Sequence, residues 1–343
     1  MRVSISVTVY LLIFSYCLSI DLLRSVNKKD FIEEINSRNT TWKAGVNKRF
    51  SNQTLSQVIT LLGALNGSDD IKLPVRQVKK AAGLPERYDV REAWPQCESV
   101  HEIRDQSSCG SCWAFGAAEA MSDRICIASK GKLQTRVSAE HILACCTWCG
   151  SGCNGGFPNK AWLFWQSEGV PSGGVYNDTK TCQPYSFPPC DHHVQGSYGP
   201  CAKDYDTPQC KKTCQNGYPK KFTDDLTFAD SSYSVPKFEQ SIMSEIFENG
   251  PVEASFIIYE DFLNYKSGVY QYVKGNSLGG HAVKIIGWGV ENGVKYWLVV
   301  NSWNEDWGDK GTFKILRGVN HVTIESKVVA GIPKMNKQFL SEQ

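Results

Sequence analysis

The sequence QSSCGSCW, at residues 106–113, is the part of this chain from which its architecture follows. Directly after it, small and apolar residues recur at helical spacing, as at Ala114, Ala117, Ala118 and Ile125. This spacing predicts a helix that begins at or near Cys112. The partial positive charge of a helix N-terminus favours the thiolate of a cysteine, which is its nucleophilic form.

The same stretch also contains a Cys-x-x-Cys pair, Cys109 and Cys112. Such a pair can be half of a zinc site or a redox couple, and Cys146 and Cys149 could supply a second half. An oxidising compartment makes disulfides the favoured interpretation.

A nucleophilic cysteine needs a base, and His281 is the best candidate among six histidines. It lies in a β-branched run that leads to Asn292-Gly293, a dipeptide typical of a type I′ hairpin turn. The return strand ends at Asn301. An ideal hairpin places His281 and Asn301 three residues out of register, where an amide could fix the histidine tautomer. Taken alone, the pair is better explained as a strand-edge histidine beside an ordinary strand-end asparagine.

Composition limits the classes of function. The 343 residues carry 37 Lys and Arg against 35 Asp and Glu, a net charge of +2. A charge this small gives no long-range electrostatic attraction to nucleic acid or to an anionic membrane. The apolar run at residues 7–18 follows Arg2 and predicts a secretory signal peptide over residues 1–19. The run falls short of the roughly 20 residues that a spanning helix needs, so we expect no membrane span.

The cysteines divide the chain. Of 14 cysteines, one lies in the predicted signal peptide, and the remaining thirteen predict six disulfides and one free thiol. Residues 20–96 contain none, which suggests a separable N-terminal piece, and the basic stretch at residues 75–83 is typical of an exposed, cleavable linker. The sequons that agree with a secretory route begin at Asn39, Asn52, Asn66 and Asn177.

Taken together, these motifs resemble those of cathepsin B-like cysteine peptidases, a group within the papain-type family. The sequence CGSCW at residues 109–113 is similar to the signature around the family's catalytic cysteine, and a histidine and an asparagine follow far downstream. The separation of 169 residues between Cys112 and His281 exceeds the usual value of about 130–150 and indicates an insertion. Residues 190–201 resemble the occluding loop of cathepsin B.

The resemblance implies an α+β fold of two lobes, with a helical N-terminal lobe, a β-rich C-terminal lobe and the active-site cleft between them. It divides the chain into a signal peptide at 1–19, an inhibitory propeptide at 20–83 and a mature peptidase at 84–343. It implies a zymogen whose partners are polypeptide substrates, its own propeptide and cystatin-type inhibitors. It implies a monomer without cofactor or metal, in a lysosome or an extracellular or gut lumen.

The resemblance also assigns roles to residues. Cys112 is the expected nucleophile, His281 the acid and base, and Asn301 the residue that orients His281. Gln106 and the backbone N–H of Cys112 are the expected oxyanion hole. The residues implied in substrate binding are His192, His193, Gly155, Gly156, Phe157, Pro158, Ala282, Trp303 and Lys327, and the paired histidines would bind a substrate's free C-terminal carboxylate.

Three positions depart from the family pattern. Tyr198 replaces an Arg that helps to hold the occluding loop shut, although the acidic partners Asp105, for His192, and Asp306, for the lost Arg, remain. The expectation is a looser loop and relatively more endopeptidase activity. Lys327 stands where cathepsin B carries a Glu that accepts a substrate Arg, and Ser107 stands where the family often has Gly.

The resemblance further implies a set of disulfides that leaves Cys112 free. The implied pairs are Cys97–Cys126, Cys109–Cys153, Cys145–Cys210, Cys146–Cys149, Cys182–Cys214 and Cys190–Cys201. The rival to an enzyme is a catalytically silent binding or storage protein on the same scaffold, and a zinc-binding module is a more distant alternative.

Overall fold

The computed structural model describes residues 22–51, 53–65, 71–78, 81, 83–191, 199–200 and 205–335. The helices are α1 (Lys29–Ser37), α2 (Leu55–Ile59), α3 (Val90–Ala93), α4 (Cys112–Ala128), α5 (Ala139–Cys145), α6 (Pro158–Ser167), α7 (Phe222–Asp225) and α8 (Glu239–Asn249). The strands are β1 (Trp42–Ala44), β2 (Tyr88–Asp89), β3 (Cys190–Asp191), β4 (Gly199–Pro200), β5 (Ala229–Val235), β6 (Val252–Tyr259), β7 (Tyr265–Tyr270), β8 (Ser277–Glu291), β9 (Val294–Val300), β10 (Thr312–Leu316) and β11 (Lys327–Pro333).

The hairpin formed by β8 and β9 confirms the prediction from Asn292-Gly293. Both turn residues have positive φ, 50° at Asn292 and 78° at Gly293. Partner numbers sum to 585 near the turn, as in Glu291 with Val294, and to 584 beyond a bulge between Ile285 and Gly287. The bulge reduces the offset of His281 from Asn301 to two residues. An even offset puts both side chains on one face of the sheet, because side chains alternate along a strand.

The C-terminal lobe is built on one large sheet. Within the described residues it has nine strands in the order β1-β7-β10-β9-β8-β6-β11-β5, with β2 paired to β8. Its core is rich in aromatic residues, and Phe262, Trp303, Trp307 and Phe313 pack edge-on or tilted against one another. This core keeps the ends of β8 and β9 in place.

The N-terminal lobe is organised around α4, which begins at Cys112 as the sequence predicts. All sixteen residues from Cys112 to Ile127 are buried, so the helix runs through the interior with no polar face toward water. Two of its buried charges are paired: Lys284 of β8 donates to Asp123 across 2.7 Å, which ties the helix to the sheet, and Arg124 donates to Glu245 across 3.0 Å. The two-lobe α+β architecture expected from the resemblance is confirmed.

Residues 22–83 are here called the N-terminal segment, and the described part of this segment lies across the rest of the molecule. Strand β1 extends the sheet by antiparallel pairing with β7, and Trp42 Nε1 donates to the Gln271 carbonyl across 2.8 Å. Asn47, fully buried, donates to the carbonyls of Leu263 and Tyr265. Further ion pairs join Arg24 to Glu260 and Glu34 to Lys274.

The stretch at residues 75–83, which the sequence predicts to be an exposed linker, is only partly exposed where the structure describes it. Val75 is exposed, but Arg76 is half-buried and its backbone N–H donates to the Ser234 carbonyl across 3.0 Å. The Arg76 guanidinium also donates to the Tyr233 hydroxyl and lies over its ring. The part of this stretch that the structure describes therefore follows the edge strand β5. None of the helices in the described residues is both long and apolar enough to cross a membrane.

Candidate active site

The histidine and asparagine predicted on the hairpin meet in the interior. His281 Nε2 lies 2.7 Å from Asn301 Oδ1, and both residues are fully buried. The Trp303 ring covers this contact, with its centroid 4.6 Å from that of the imidazole. The hydrogen bond fixes Nε2 as the protonated nitrogen in a neutral ring and leaves Nδ1 without a partner among the described residues.

Cys112, the one free cysteine among the described residues, is completely buried beside Ala64 and Ala282. Burial raises the pKa of the thiol to about 12, although the backbone N–H groups of Ala282 and Gly63 act in the opposite direction. Burial likewise lowers the pKa of His281 to about 4. The thiolate expected from the helix N-terminus is therefore not the favoured state here, because desolvation under the N-terminal segment outweighs the helix dipole.

The Gln106 amide lies between the N-terminal segment and the loop that precedes α4. Its Nε2 donates to the Leu61 carbonyl across 2.9 Å and to the Cys109 carbonyl across 2.8 Å. The Ser302 hydroxyl donates to Gln106 Oε1 across 2.7 Å, which sets the orientation of the amide. A carbonyl of the N-terminal segment thus accepts from the amide nitrogen to which the resemblance assigns the oxyanion role.

Ser107, which stands where the family often has Gly, has a φ of 56°, in the left-handed region that glycine adopts most easily. Its N–H donates to Asp105 Oδ1 across 2.7 Å, and Asp105 Oδ2 accepts from Asn304 Nδ2 across 2.9 Å. These bonds hold the strained turn in place next to Gln106.

One of the two glycines implied in substrate binding, Gly156, pairs with the backbone of the N-terminal segment. Gly156 donates to the Gly63 carbonyl across 2.8 Å, and Leu65 donates to the Gly156 carbonyl across 3.0 Å. A Cβ at Gly156 would meet the Trp113 ring at 2.5 Å, and Gly155 has a φ of 108°. Neither position accepts a side chain without displacement of its surroundings.

A cavity of about 340 Å³ opens beside these glycines. Phe157, Pro158 and Lys327 line it, together with Leu65 and Leu73 of the N-terminal segment. The structure thus brings three of the residues implied in substrate binding to one cavity, and it places Ala282 against Cys112.

Some predicted residues fall outside the described part of the chain. They are His192, His193, Tyr198 and Cys201, which carry most of the expected occluding loop, and the sequon residues Asn52 and Asn66. The other two sequon residues, Asn39 and Asn177, are exposed.

Five of the implied disulfides are bonded in the structure. They are Cys97–Cys126, Cys109–Cys153, Cys145–Cys210, Cys146–Cys149 and Cys182–Cys214, and the sixth implied pair includes Cys201. The zinc interpretation fails because Cys109, Cys146 and Cys149 are oxidised. Within the described ranges no three His, Cys, Asp or Glu side chains could hold a metal.

Two contributors to the site were missed by sequence reasoning. Gly63 lies so close to the catalytic loop that a Cβ there would stand 1.7 Å from the Gly110 carbonyl oxygen. Arg49 is fully buried, with its guanidinium beside Asp105. Their only sequence signals, a glycine in an apolar run and an arginine next to Lys48, are too common to indicate a contact.

Comparison with known proteins agrees with this geometry. Residues 84–332 match the model of the papain family cysteine protease, and residues 27–68 match the propeptide of peptidase family C1. The chain therefore belongs to the papain family of cysteine proteases and carries a propeptide of that family.

The relatives narrow the class further. The chain is 49% identical to a cathepsin B-like cysteine proteinase of Schistosoma japonicum, over 85% of this chain and 86% of the relative. It is 47% identical to cathepsin B-like cysteine proteinase 6 of Caenorhabditis elegans, over 90% and 83%. Procathepsin B S9 of Trypanosoma congolense superposes with a TM-score of 0.79 at 38% identity, over 91% of this chain and 100% of that one. These similarities define a cathepsin B-like cysteine protease with a propeptide.

Proposed function

We propose that the matured protein hydrolyses peptide bonds through a thioester on Cys112, with His281 as acid and base. Removal of the N-terminal segment returns water to the thiol and the imidazole, so a thiolate and an imidazolium can form. The thiolate attacks the substrate carbonyl, and His281 gives its proton to the leaving amine. Water, deprotonated by His281, then hydrolyses the thioester and regenerates the thiol.

Four further groups assist this reaction, two at the oxyanion and two at the imidazole. Gln106 Nε2 and the backbone N–H of Cys112 donate to the tetrahedral oxyanion, and loss of one such donor typically costs about 10²- to 10³-fold in rate. Asn301 holds the imidazole, and Trp303 keeps water from the bond between them. The observation that carries the proposal is the 2.7 Å contact of His281 with Asn301 beneath Trp303, with Ala282, the residue after His281, packed against the buried Cys112 at the start of α4.

The N-terminal segment would act as the inhibitor of this site. It fills the cleft with backbone: the Leu61 carbonyl accepts from Gln106, and the Gly63 and Leu65 backbone pairs with Gly156. We propose that cleavage near residues 83–84 removes it, which makes residues 20–83 the propeptide and residues 84–343 the mature enzyme.

The test compares the processed wild-type protein with processed Cys112→Ser. We expect the variant to lose at least about 10⁴-fold in kcat/KM on a fluorogenic dipeptide, since a serine hydroxyl is a far weaker nucleophile in this setting. Exposed Val319→Ala is the matched control and should retain activity. A thiol-reactive epoxide should label Cys112 only after processing. Labelling without any turnover would instead favour a silent binding protein.

Lys327 sets the preference of the cavity that it lines with Phe157 and Pro158. We propose that this cavity accepts the substrate residue two places before the cut and prefers aliphatic or aromatic side chains, because a lysine repels a substrate arginine. A library of dipeptide substrates tests this, with Lys327→Glu as the comparison. A strong arginine preference in the wild-type enzyme would refute the proposal.

The balance between internal cleavage and dipeptide release depends on the loop at residues 190–201. We propose that His192 and His193 bind the substrate's C-terminal carboxylate and that Tyr198, lacking a charge for Asp306, leaves the loop looser. Internal cleavage should then exceed dipeptide release more in the wild type than in Tyr198→Arg. An unchanged ratio would contradict the loop assignment.

The same assignments support a proposal for the cellular compartment and the modifications of the protein. We propose that residues 1–19 direct the chain into the secretory pathway, where its disulfides form and Asn39, Asn52, Asn66 and Asn177 can receive glycans. The matured enzyme would act as a monomer on polypeptides in a lysosome or an extracellular or gut lumen. Inhibitors of the cystatin type would compete for its cleft.

A further inference from the structure

A second buried contact of the N-terminal segment lies away from the thiol. Lys48 and Arg49 are consecutive basic residues, yet Lys48 is exposed and Arg49 is 1% exposed. The next residue, Phe50, is fully buried with its ring edge-on to Trp303, 5.2 Å between centroids. The segment therefore inserts a guanidinium and a phenyl ring side by side into the body of the enzyme.

The guanidinium enters a pocket built by the enzyme itself. Arg49 Nη2 donates to the Ser107 carbonyl across 3.2 Å and lies 3.5 Å from Asp105 Oδ1. Asp105 is fixed by the N–H of Ser107 and by the amide of Asn304, and Asn304 Oδ1 accepts from the N–H of Asp306. A carboxylate and a carbonyl that converge on one point suit a planar guanidinium better than a point charge.

The path of the segment shows where this pocket lies along the cleft. From Arg49 the chain proceeds to Leu61 at Gln106, to Gly63 at Cys112, and then to Leu65 and Leu73 at the cavity of Lys327. Asp105 and Lys327 are therefore on opposite sides of the thiol. If the cavity of Lys327 receives substrate residues before the cut, Asp105 faces residues after the cut.

We propose that Asp105, held in place by Asn304, and the Ser107 carbonyl form a guanidinium-binding subsite, which Arg49 fills in the precursor and for which, in the matured enzyme, an arginine located after the cut competes with His192. The proposal rests on the proposed peptidase function for its substrate, but binding in the subsite needs no turnover. Lys327 and Asp105 then give the two ends of the cleft opposite preferences for basic residues.

The experiment uses matured enzyme and synthetic peptides spanning residues 42–65. Citrulline in place of Arg49 keeps the shape of the side chain and removes its charge, and citrulline in place of the exposed Lys48 is the control. We expect inhibition of fluorogenic-dipeptide hydrolysis to weaken about tenfold or more with the first change and less than about twofold with the second. In Asp105→Asn the effect of citrulline at position 49 should vanish, whereas in Glu305→Gln, an exposed neighbour, it should persist.

A second arm uses peptide substrates with arginine or citrulline at each of the three positions after the cut. We expect kcat/KM to be several-fold higher for arginine at one of them. Equal inhibition by the arginine and citrulline peptides in the wild-type enzyme would overturn the subsite, as would equal substrate rates at all three positions. If the enzyme hydrolyses nothing, the proposed function fails, and calorimetric binding of the same peptides still decides the subsite.

Discussion

Residues 42–50 and residues 61–65 of the N-terminal segment hold to the same enzyme by different means. The first stretch inserts side chains: Trp42, Asn47, Arg49 and Phe50 are all buried. The second buries only the smaller side chains of Leu61 and Ala64 and adds backbone hydrogen bonds, through the Leu61 carbonyl and the pairing with Gly156. We therefore expect the larger share of the affinity to come from the first stretch, away from the thiol.

The largest effect should follow from Trp42→Ala. Trp42 is 1% exposed and packs edge-on against Tyr270, with 5.2 Å between ring centroids. Truncation of a buried tryptophan costs about 3–5 kcal/mol, so the segment, added as a separate peptide, should inhibit roughly 150- to 5,000-fold more weakly. Lys43→Ala, at the exposed neighbouring position, is the control. Equal losses of inhibition in the two variants would contradict the assignment of affinity to the buried side chains of residues 42–50.

Gly63→Ala should have the next largest effect. The new Cβ would stand 1.7 Å from the Gly110 carbonyl oxygen, so the segment must lift away from Cys112 at a cost of about 1–3 kcal/mol. The precursor should become partly active while its docking through residues 42–50 persists. Gly45→Ala is matched to it, because its Cβ meets only the flexible Lys266 side chain. If the Gly63→Ala precursor stays inactive, the segment is not tightly packed where it passes Cys112.

Docking should also weaken in acid through His281. Under the segment the pKa of His281 is lowered to about 4 by burial, whereas an exposed histidine has a pKa near 6.5. In matured Cys112→Ser, where no thiolate pairs with the imidazole, the undocked protein therefore takes up a proton between these values that the docked one does not. Docking is strongest above about pH 6.5 and weakens toward pH 4, with a slope approaching tenfold per pH unit from this residue.

Calorimetric titration of matured Cys112→Ser with the segment peptide from pH 7.5 to 4.5 measures this slope. Adding His281→Gln should flatten it by nearly one decade per unit, and adding His101→Gln, at an exposed position, should leave it unchanged. Parallel slopes with and without His281→Gln would assign the acid sensitivity to other groups.

The smallest effect is expected at the helix that joins the two stretches. The Thr54 N–H donates to Gln57 Oε1 across 2.9 Å at the start of α2, as in a capping box. Gln57→Ala should weaken inhibition by about 0.5–1 kcal/mol, or roughly two- to fivefold, while Gln57→Glu keeps the acceptor. If Gln57→Ala and Gln57→Glu weaken inhibition equally, the loss of the helix cap does not explain the weaker inhibition.

The sequence predicted the elements of the site better than their spatial arrangement. The start of α4 at Cys112 and the turn at Asn292-Gly293 follow from local spacing and turn chemistry, so they were predictable. The bulge between Ile285 and Gly287 was not, because it depends on how a whole strand packs, and it puts His281 and Asn301 on one face. The state of the thiol was missed for a similar reason: its desolvation comes from a segment about fifty residues away in the chain.

The covalent cross-links of this molecule are confined to one half. Every bonded cysteine in the described chain lies between Cys97 and Cys214, and residues 215–335 contain no cysteine at all. A reducing environment that protects the Cys112 sulfur from oxidation therefore also reduces the disulfides of the lobe that carries it. Residues 215–335, which carry His281, contain no disulfide that could be reduced. The redox potential of the surroundings then limits the working lifetime of the enzyme from both directions: too oxidising inactivates the nucleophile, and too reducing loosens its scaffold.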